Sequence, residues 1–188
     1  MDKASKLIIG ISGEILSGKS TAAKFFVERF HFKQLQMSAI LNEILNVLSL
    51  DQTRENQVNL INMLRVEFGP AVLANALLAV IEKSSHEVYL LDGIRKLEEL
   101  QTFKENLHSF KLIFIKAPME KRFERLKLRD EKIGERYDSW EDFEKSHHYE
   151  TEVDIPLLEN YADYVVENSA TEQELNDKLT SIFTKIIL

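Results

Sequence analysis

Cysteine is absent from this 188-residue chain. That excludes disulfides and thiolate metal sites, and it agrees with a reducing compartment. A basic excess is absent as well. Twenty-four Lys and Arg stand against 31 Asp and Glu, for a net charge of −7 and a pI near 5.3. An acidic surface argues against nonspecific nucleic-acid binding and requires any anion site to be local. There is no long apolar run: the start, Met1 to Lys6, is polar, and the apolar stretch after it stops at Gly10. The expectation is a soluble, cytoplasmic protein with neither a nucleic-acid nor a membrane partner. No repeat, low-complexity tract or linker divides the chain, so residues 1–188 read as one domain. The five histidines are scattered except His147-His148, and adjacent helix positions do not face one another, so no metal pair is expected there.

What is present is ordinary globular composition, 44% hydrophobic and 29% charged, arranged as alternating strands and helices. Residues 6–12 form a nearly continuous apolar run, as in a strand covered on both faces. Residues 20–30 follow a helical pattern. Residues 32–37 give a weakly signalled strand, and 38–50 repeat apolar residues at helical spacing. Asp51 or Thr53 can cap a further helix ending at Gly69, and Pro70 suits the first turn of the next, to about residue 83. Strands are predicted over 87–91, 112–115 and 163–166, with helices over 97–107, 118–129 and 171–187. The alternation predicts an α/β, three-layer fold with a parallel, five-stranded sheet. Residues 38–84 and 130–150 exceed simple crossovers and read as insertions on the functional edge of the sheet.

Gly13-Glu14-Ile15-Leu16-Ser17-Gly18-Lys19-Ser20 meets the pattern G-x-x-x-x-G-K-[ST] in full, between a buried strand and a helix start. Glycines let the chain curl so that backbone N–H groups of Gly13 and of Ile15 through Thr21 face phosphates, aided by the helix N-terminus. Lys19 reaches the β/γ-phosphates of ATP, and the Ser20 hydroxyl is placed to ligate Mg²⁺. Glu14 is a carboxylate inside this loop and must point outward, or it repels the ligand.

The Asn-Lys-x-Asp motif of GTPases is missing, and a motor or AAA-type ATPase would be larger, with an acidic pair after a strand. The chain instead has Leu90-Leu91-Asp92-Gly93-Ile94-Arg95. Asp92 there can hold a metal's water shell, and Arg95 points across the strand ends. With these residues the chain resembles the P-loop nucleoside and nucleotide kinases. The Leu-Leu-Asp-Gly-Ile-Arg segment is similar to the adenylate-kinase-like segment whose Arg grips the acceptor's phosphate. Thr53-Arg54-Glu55-Asn56-Gln57, with Leu64-Arg65 and Phe68-Gly69, looks like the acceptor side of deoxynucleoside monophosphate kinases. Ala162-Asp163-Tyr164-Val165-Val166-Glu167-Asn168 resembles the C-terminal strand of dephospho-CoA kinases and their archaeal nucleotide-kinase relatives, which implies a nucleotide-side role for Asn168. The chain departs from those kinases after its second strand, where Gln36-Met37-Ser38-Ala39 carries no acid.

Phosphoryl transfer rests on positioning and charge neutralisation, so the candidates are Lys and Arg. Arg122, Arg125 and Arg129 form one helical stripe beside Met119, Phe123 and Leu126; the alternative is a solvated basic face balanced by Glu120 and Glu124. The resemblance implies that residues 130–150 are a small lid carrying Lys132 and Arg136, and that 38–84 bind the acceptor. Arg54 and Arg65 share a helix face about 16 Å apart; Arg54 is assigned to the acceptor and Arg65 to a structural ion pair. Trp140 and Phe143, after Ser139 as a cap, read as a docking face, and Phe25, Phe26 and Phe30 as core. The expectation is an ATP- and Mg²⁺-dependent phosphotransferase. Lys19, Asp92, Arg125 and Arg129 would be catalytic, Arg54, Arg95 and Arg136 would bind a nucleotide-like acceptor, and Ser20 with Asp92 (through water) would hold the metal. The favoured acceptor is a (deoxy)nucleoside monophosphate; the alternatives are a dephospho-CoA kinase and an ATP-binding, adenylate-kinase-like switch or assembly factor.

Overall fold

In the computed structural model, described over residues 6–128, 140–146 and 153–188, five parallel strands form one sheet in the order β2-β3-β1-β4-β5. The strands are β1 (Leu7–Ser12), β2 (Lys33–Gln36), β3 (Val88–Asp92), β4 (Phe110–Lys116) and β5 (Tyr164–Glu167). Parallel strands need crossovers, and these are supplied by α1 (Lys19–Phe30), α2 (Met37–Val47), α3 (Arg54–Phe68), α4 (Val72–Lys83), α5 (Leu97–Asn106), α6 (Met119–Leu128), α7 (Trp140–Ser146) and α8 (Ile155–Leu158), with α9 (Glu172–Ile187) closing the chain.

Alternation along each strand sorts the core into two layers. Ile8, Tyr89, Leu91, Leu112 and Phe114 join one cluster with Leu41 of α2, Ile61 of α3, Leu77 of α4 and Phe103 of α5. Ile9, Ile11, Leu90, Ile113 and Ile115 join the other, with Phe26 of α1 and Leu179 of α9. The central strands are therefore mostly apolar on both faces, with polar residues at Lys111 and at the carboxyl ends, Ser12, Asp92 and Lys116. The phenylalanines of α1 are core as expected: Phe26 is buried and meets Phe32 and Phe183 edge-on at 5.4 and 6.1 Å.

Caps explain several boundaries. The Thr53 hydroxyl accepts from the Asn56 N–H at 3.1 Å and Thr171 from Glu174 at 3.2 Å, fixing the starts of α3 and α9. Of the two possible caps for α3, Thr53 serves. Glu99 lies fully buried in the first turn of α5, accepting from the N–H groups of Arg95 and Lys96 at 2.9 and 3.1 Å and from Arg65 Nη2 at 2.8 Å. Arg65 is thus the ion-pair residue anticipated. Pro70 is a correction: it precedes Ala71, the N-cap of α4, so it lies ahead of the first turn. β2 is shorter than expected because Met37 already begins α2. No single helix among the described residues is long and apolar enough to cross a membrane.

Candidate functional site

A cavity of about 1070 Å³ opens at the carboxyl ends of the strands. β1 sits where the chain turns from one half of the sheet to the other, between β3 and β4, the place where ligands bind in such sheets. It is lined by the loop 13–18, which joins β1 to α1, by the first residues of α1 to Thr21, and by Arg54, Asp92, Arg95, Arg125 and Asn168.

Gly13 has φ +144°, and a Cβ on it would come 2.1 Å from the Ile115 carbonyl oxygen of β4. Gly18 has φ +106°, and the Asn168 amide would be 2.2 Å from its Cβ. Only glycine fits either place. Lys19 folds back over the loop, its Nζ donating to the Gly13 and Glu14 carbonyls at 2.6 and 2.7 Å. A phosphate presented to the loop competes for this ammonium.

The loop is also held from outside. On α6, Arg122 Nη1 donates to the Ile15 carbonyl at 3.3 Å, and Arg125 Nη1 to the Leu16 and Ser17 carbonyls, both at 3.1 Å. Three successive carbonyls thus turn toward α6. In a trans peptide the next N–H points the other way, so those of Leu16 and Gly18 are directed away from that helix. Arg125 Nη2 continues to the Asn168 carbonyl at 2.6 Å, and Asn168 Nδ2 donates to Ser17 at 2.8 Å. Glu14 does turn aside: its Oε1 accepts from Arg122 Nη2 at 3.0 Å.

Arg122 is only 3% exposed, so its part of the stripe is neither a solvated face nor a phosphate-facing one. Burial lowers the pKa of Arg122 and of Arg125, while the Glu14 charge and hydrogen bond raise that of Arg122. The Phe143 ring of α7 lies 5.8 Å from the Arg122 guanidinium and packs with Phe123 and Trp140. The docking face expected of Trp140 and Phe143 is therefore an aromatic pack against α6. Arg129, Lys132, Arg136, Ser139 and His147-His148 lie outside the described residues.

Asp92 ends β3 beside Gln36 of β2. Its Oδ2 accepts from Gln34 Nε2 at 3.0 Å and Gln36 Nε2 at 3.2 Å. Gln34 escaped the sequence reading, as did Asn42 and Gln52, which line the cavity with Ser38 and Gln57 as neutral polar groups; Gln36 was noted only for carrying no acid. Gln57 Nε2 donates to Asn42 Oδ1 at 2.6 Å, bridging α3 and α2. Ser20 lines the same cavity as Asp92. Among the described residues no three His, Asp or Glu cluster to cage a metal. A hydroxyl and a carboxylate suit a hard cation such as Mg²⁺, which takes its remaining ligands from phosphate and water.

Comparison with known proteins agrees with this geometry. The family model described as "AAA domain" matches residues 10–144. This match corrects the expectation that size and the absent acidic pair, with Asp92-Gly93 in its place, set the chain apart from AAA-type proteins. A UPF0200 protein of Methanocaldococcus jannaschii is 31% identical over 185 residues, covering 96% of this chain and 91% of its own. One from Thermococcus onnurineus is 29% identical over 188 residues, covering 96% and 98%. Among solved structures, shikimate kinase from Bacteroides thetaiotaomicron superposes with a TM-score of 0.61 at 13% identity, covering 95% of this chain and 98% of its own. Dephospho-CoA kinase from Campylobacter jejuni gives 0.54 at 18% identity, covering 97% and 98%. At such identities the likeness concerns the fold, a kinase-like P-loop fold. The chain belongs to the AAA-domain family whose model it matches and, over its whole length, to the UPF0200 proteins.

Proposed function

We propose that the chain is an ATP- and Mg²⁺-dependent phosphotransferase that moves the γ-phosphate to a nucleotide-like acceptor, foremost a (deoxy)nucleoside monophosphate. One observation carries this reading: a single cavity is lined by the phosphate loop and by Arg54 and Arg95. At about 1070 Å³ it is larger than an ordinary single-ligand pocket. Two arginines in one cavity with a phosphate loop are what a phosphorylated acceptor needs, because guanidinium pairs with phosphate through two parallel hydrogen bonds.

In this mechanism Lys19 leaves the Gly13 and Glu14 carbonyls for the β/γ-phosphates, and the loop N–H groups hold the remaining oxygens. Arg95 and Arg54 orient the acceptor toward the transferring group. Ser20 and, through water, Asp92 would hold Mg²⁺, which would supply neutralisation of phosphate charge. Arg125, already beside the loop, is the described arginine of α6 best placed to move toward developing charge; Arg129, just ahead of the proposed lid 130–150, and Arg136 within that lid are proposed to act with it. The neutral wall of Gln36, Ser38 and Asn42 offers no carboxylate to accept a hydroxyl proton, which favours a phosphate acceptor over dephospho-CoA, whose acceptor is a hydroxyl. A panel of ribo- and deoxynucleoside monophosphates, dephospho-CoA and shikimate, assayed for ADP formation, tests the proposal. No stimulation by any acceptor above slow ATP hydrolysis overturns it.

A second reading, an ATP-binding switch that docks a protein or RNA assembly partner, is favoured by the exposed apolar residues Met63, Val66 and Phe68 of α3, 67%, 82% and 69% accessible. Tight ATP binding without acceptor-stimulated turnover, together with a co-purifying partner, selects it.

A further inference from the structure

Glu14 is a carboxylate within a loop whose task is to attract anions, and Arg122 is a cation withdrawn almost wholly from water. The two meet at 3.0 Å. A buried charge is costly unless paired and hydrogen-bonded, and here each requirement is met by the loop or its surroundings. Arg122 Nη2 takes Glu14 Oε1, Nη1 takes the Ile15 carbonyl, and Nε takes the Ala117 carbonyl at 3.2 Å where β4 runs out. The guanidinium carbon lies over the Phe143 ring, 5.8 Å from its centroid, and that ring is fully buried. The Arg122 side chain is 4% exposed and that of Glu14 24%, so their attraction is screened less than that of a surface pair.

We infer that Arg122 is a positioning residue for the phosphate site: it draws the Glu14 carboxylate to the α6 side and cancels its charge, so that the loop stays attractive to a polyphosphate. Through Phe143 it also ties the loop to α7. The inference rests on nucleotide phosphates binding at the loop and is independent of any acceptor. Without the guanidinium, a carboxylate a few ångström from a polyanion weakens binding by roughly tenfold or more at low salt, and less as salt rises. A merely structural arginine gives no binding deficit that shrinks as salt rises in a variant that still melts normally.

The test is calorimetric titration of MgADP into the full chain and its variants, each first checked by thermal melting. Arg122→Met is expected to weaken MgADP binding about tenfold or more, with the deficit shrinking as ionic strength rises. Adding Glu14→Gln to that variant is expected to recover most of the loss. Arg122→Lys, which keeps the charge but not the planar fork, is expected to lose less than the roughly tenfold expected of Arg122→Met; it decides the matter if Arg122→Met does not fold. A double variant as weak as Arg122→Met, or an Arg122→Lys as weak as expected of Arg122→Met, overturns the inference. So does an Arg122→Met that binds normally. An unaltered chain that does not bind MgADP overturns the phosphate-site reading and this inference with it. An unaltered chain that binds but shows no acceptor turnover overturns only the kinase reading.

Discussion

The Nε2 of Gln34 donates to the Oδ2 of Asp92 at 3.0 Å, from the edge strand β2 to its neighbour β3. With Gln36 on the same oxygen, two amides hold the Asp92 carboxylate, which lines the cavity. If Asp92 holds the metal's water shell, Asp92→Asn lowers acceptor-dependent turnover by about 10²–10³-fold. MgADP affinity falls far less. Steady-state ADP formation checks this, and near-normal turnover removes Asp92 from the mechanism.

Lys19 rests on two loop carbonyls, an arrangement worth only about 1 kcal/mol per hydrogen bond. Lys19→Met is therefore expected to leave the melting temperature within a few degrees while weakening ATP binding by more than tenfold and abolishing turnover. Full-affinity nucleotide binding by this variant places the phosphates elsewhere.

Gly13→Ala sets a Cβ against the Ile115 carbonyl oxygen at 2.1 Å with φ +144°. The strained backbone and the clash together predict a loss of about 3 kcal/mol, read by urea denaturation, and loss of MgADP binding because the loop must move. A variant that binds normally would show that the loop tolerates displacement from β4.

Glu99 and Arg65 form the most buried ion pair between α3 and α5, with side chains 1% and 13% exposed. Truncating one member strands the other and two N–H groups, so Glu99→Ala is expected to cost about 3–5 kcal/mol by denaturant titration. A cost below about 1 kcal/mol would mean that water replaces the carboxylate.

The sheet was legible because β1, β3 and β4 each carry a mostly apolar run, and the phosphate loop because its glycines have no substitute. β2 was faint for a physical reason: as an edge strand reading Lys-Gln-Leu-Gln, it is half-exposed and carries no apolar run. α8 escaped notice because four residues beginning Ile-Pro show no period. Helical spacing placed Arg122 and Arg125 on one face of α6, but spacing does not tell what covers a face, and the cover comes from the loop a hundred residues earlier. The neutral wall was invisible for a similar reason. Gln36 and Asn42 belong to no motif, Gln57 stood only at the end of the acceptor-side segment, and only the packing of α2 and α3 over the strand ends brings them together.

The grip of α6 and Asn168 on the phosphate loop has a consequence for the order of events during synthesis. Residues 13–20 leave the ribosome early, whereas the groups that set their carbonyls, at 122, 125 and 168, emerge only after most of the chain has been made. The anion-attracting shape is therefore a late acquisition, completed when the fifth strand docks. A nascent chain halted before that point carries every residue of the motif and has nothing to hold the Ile15, Leu16 and Ser17 carbonyls aside.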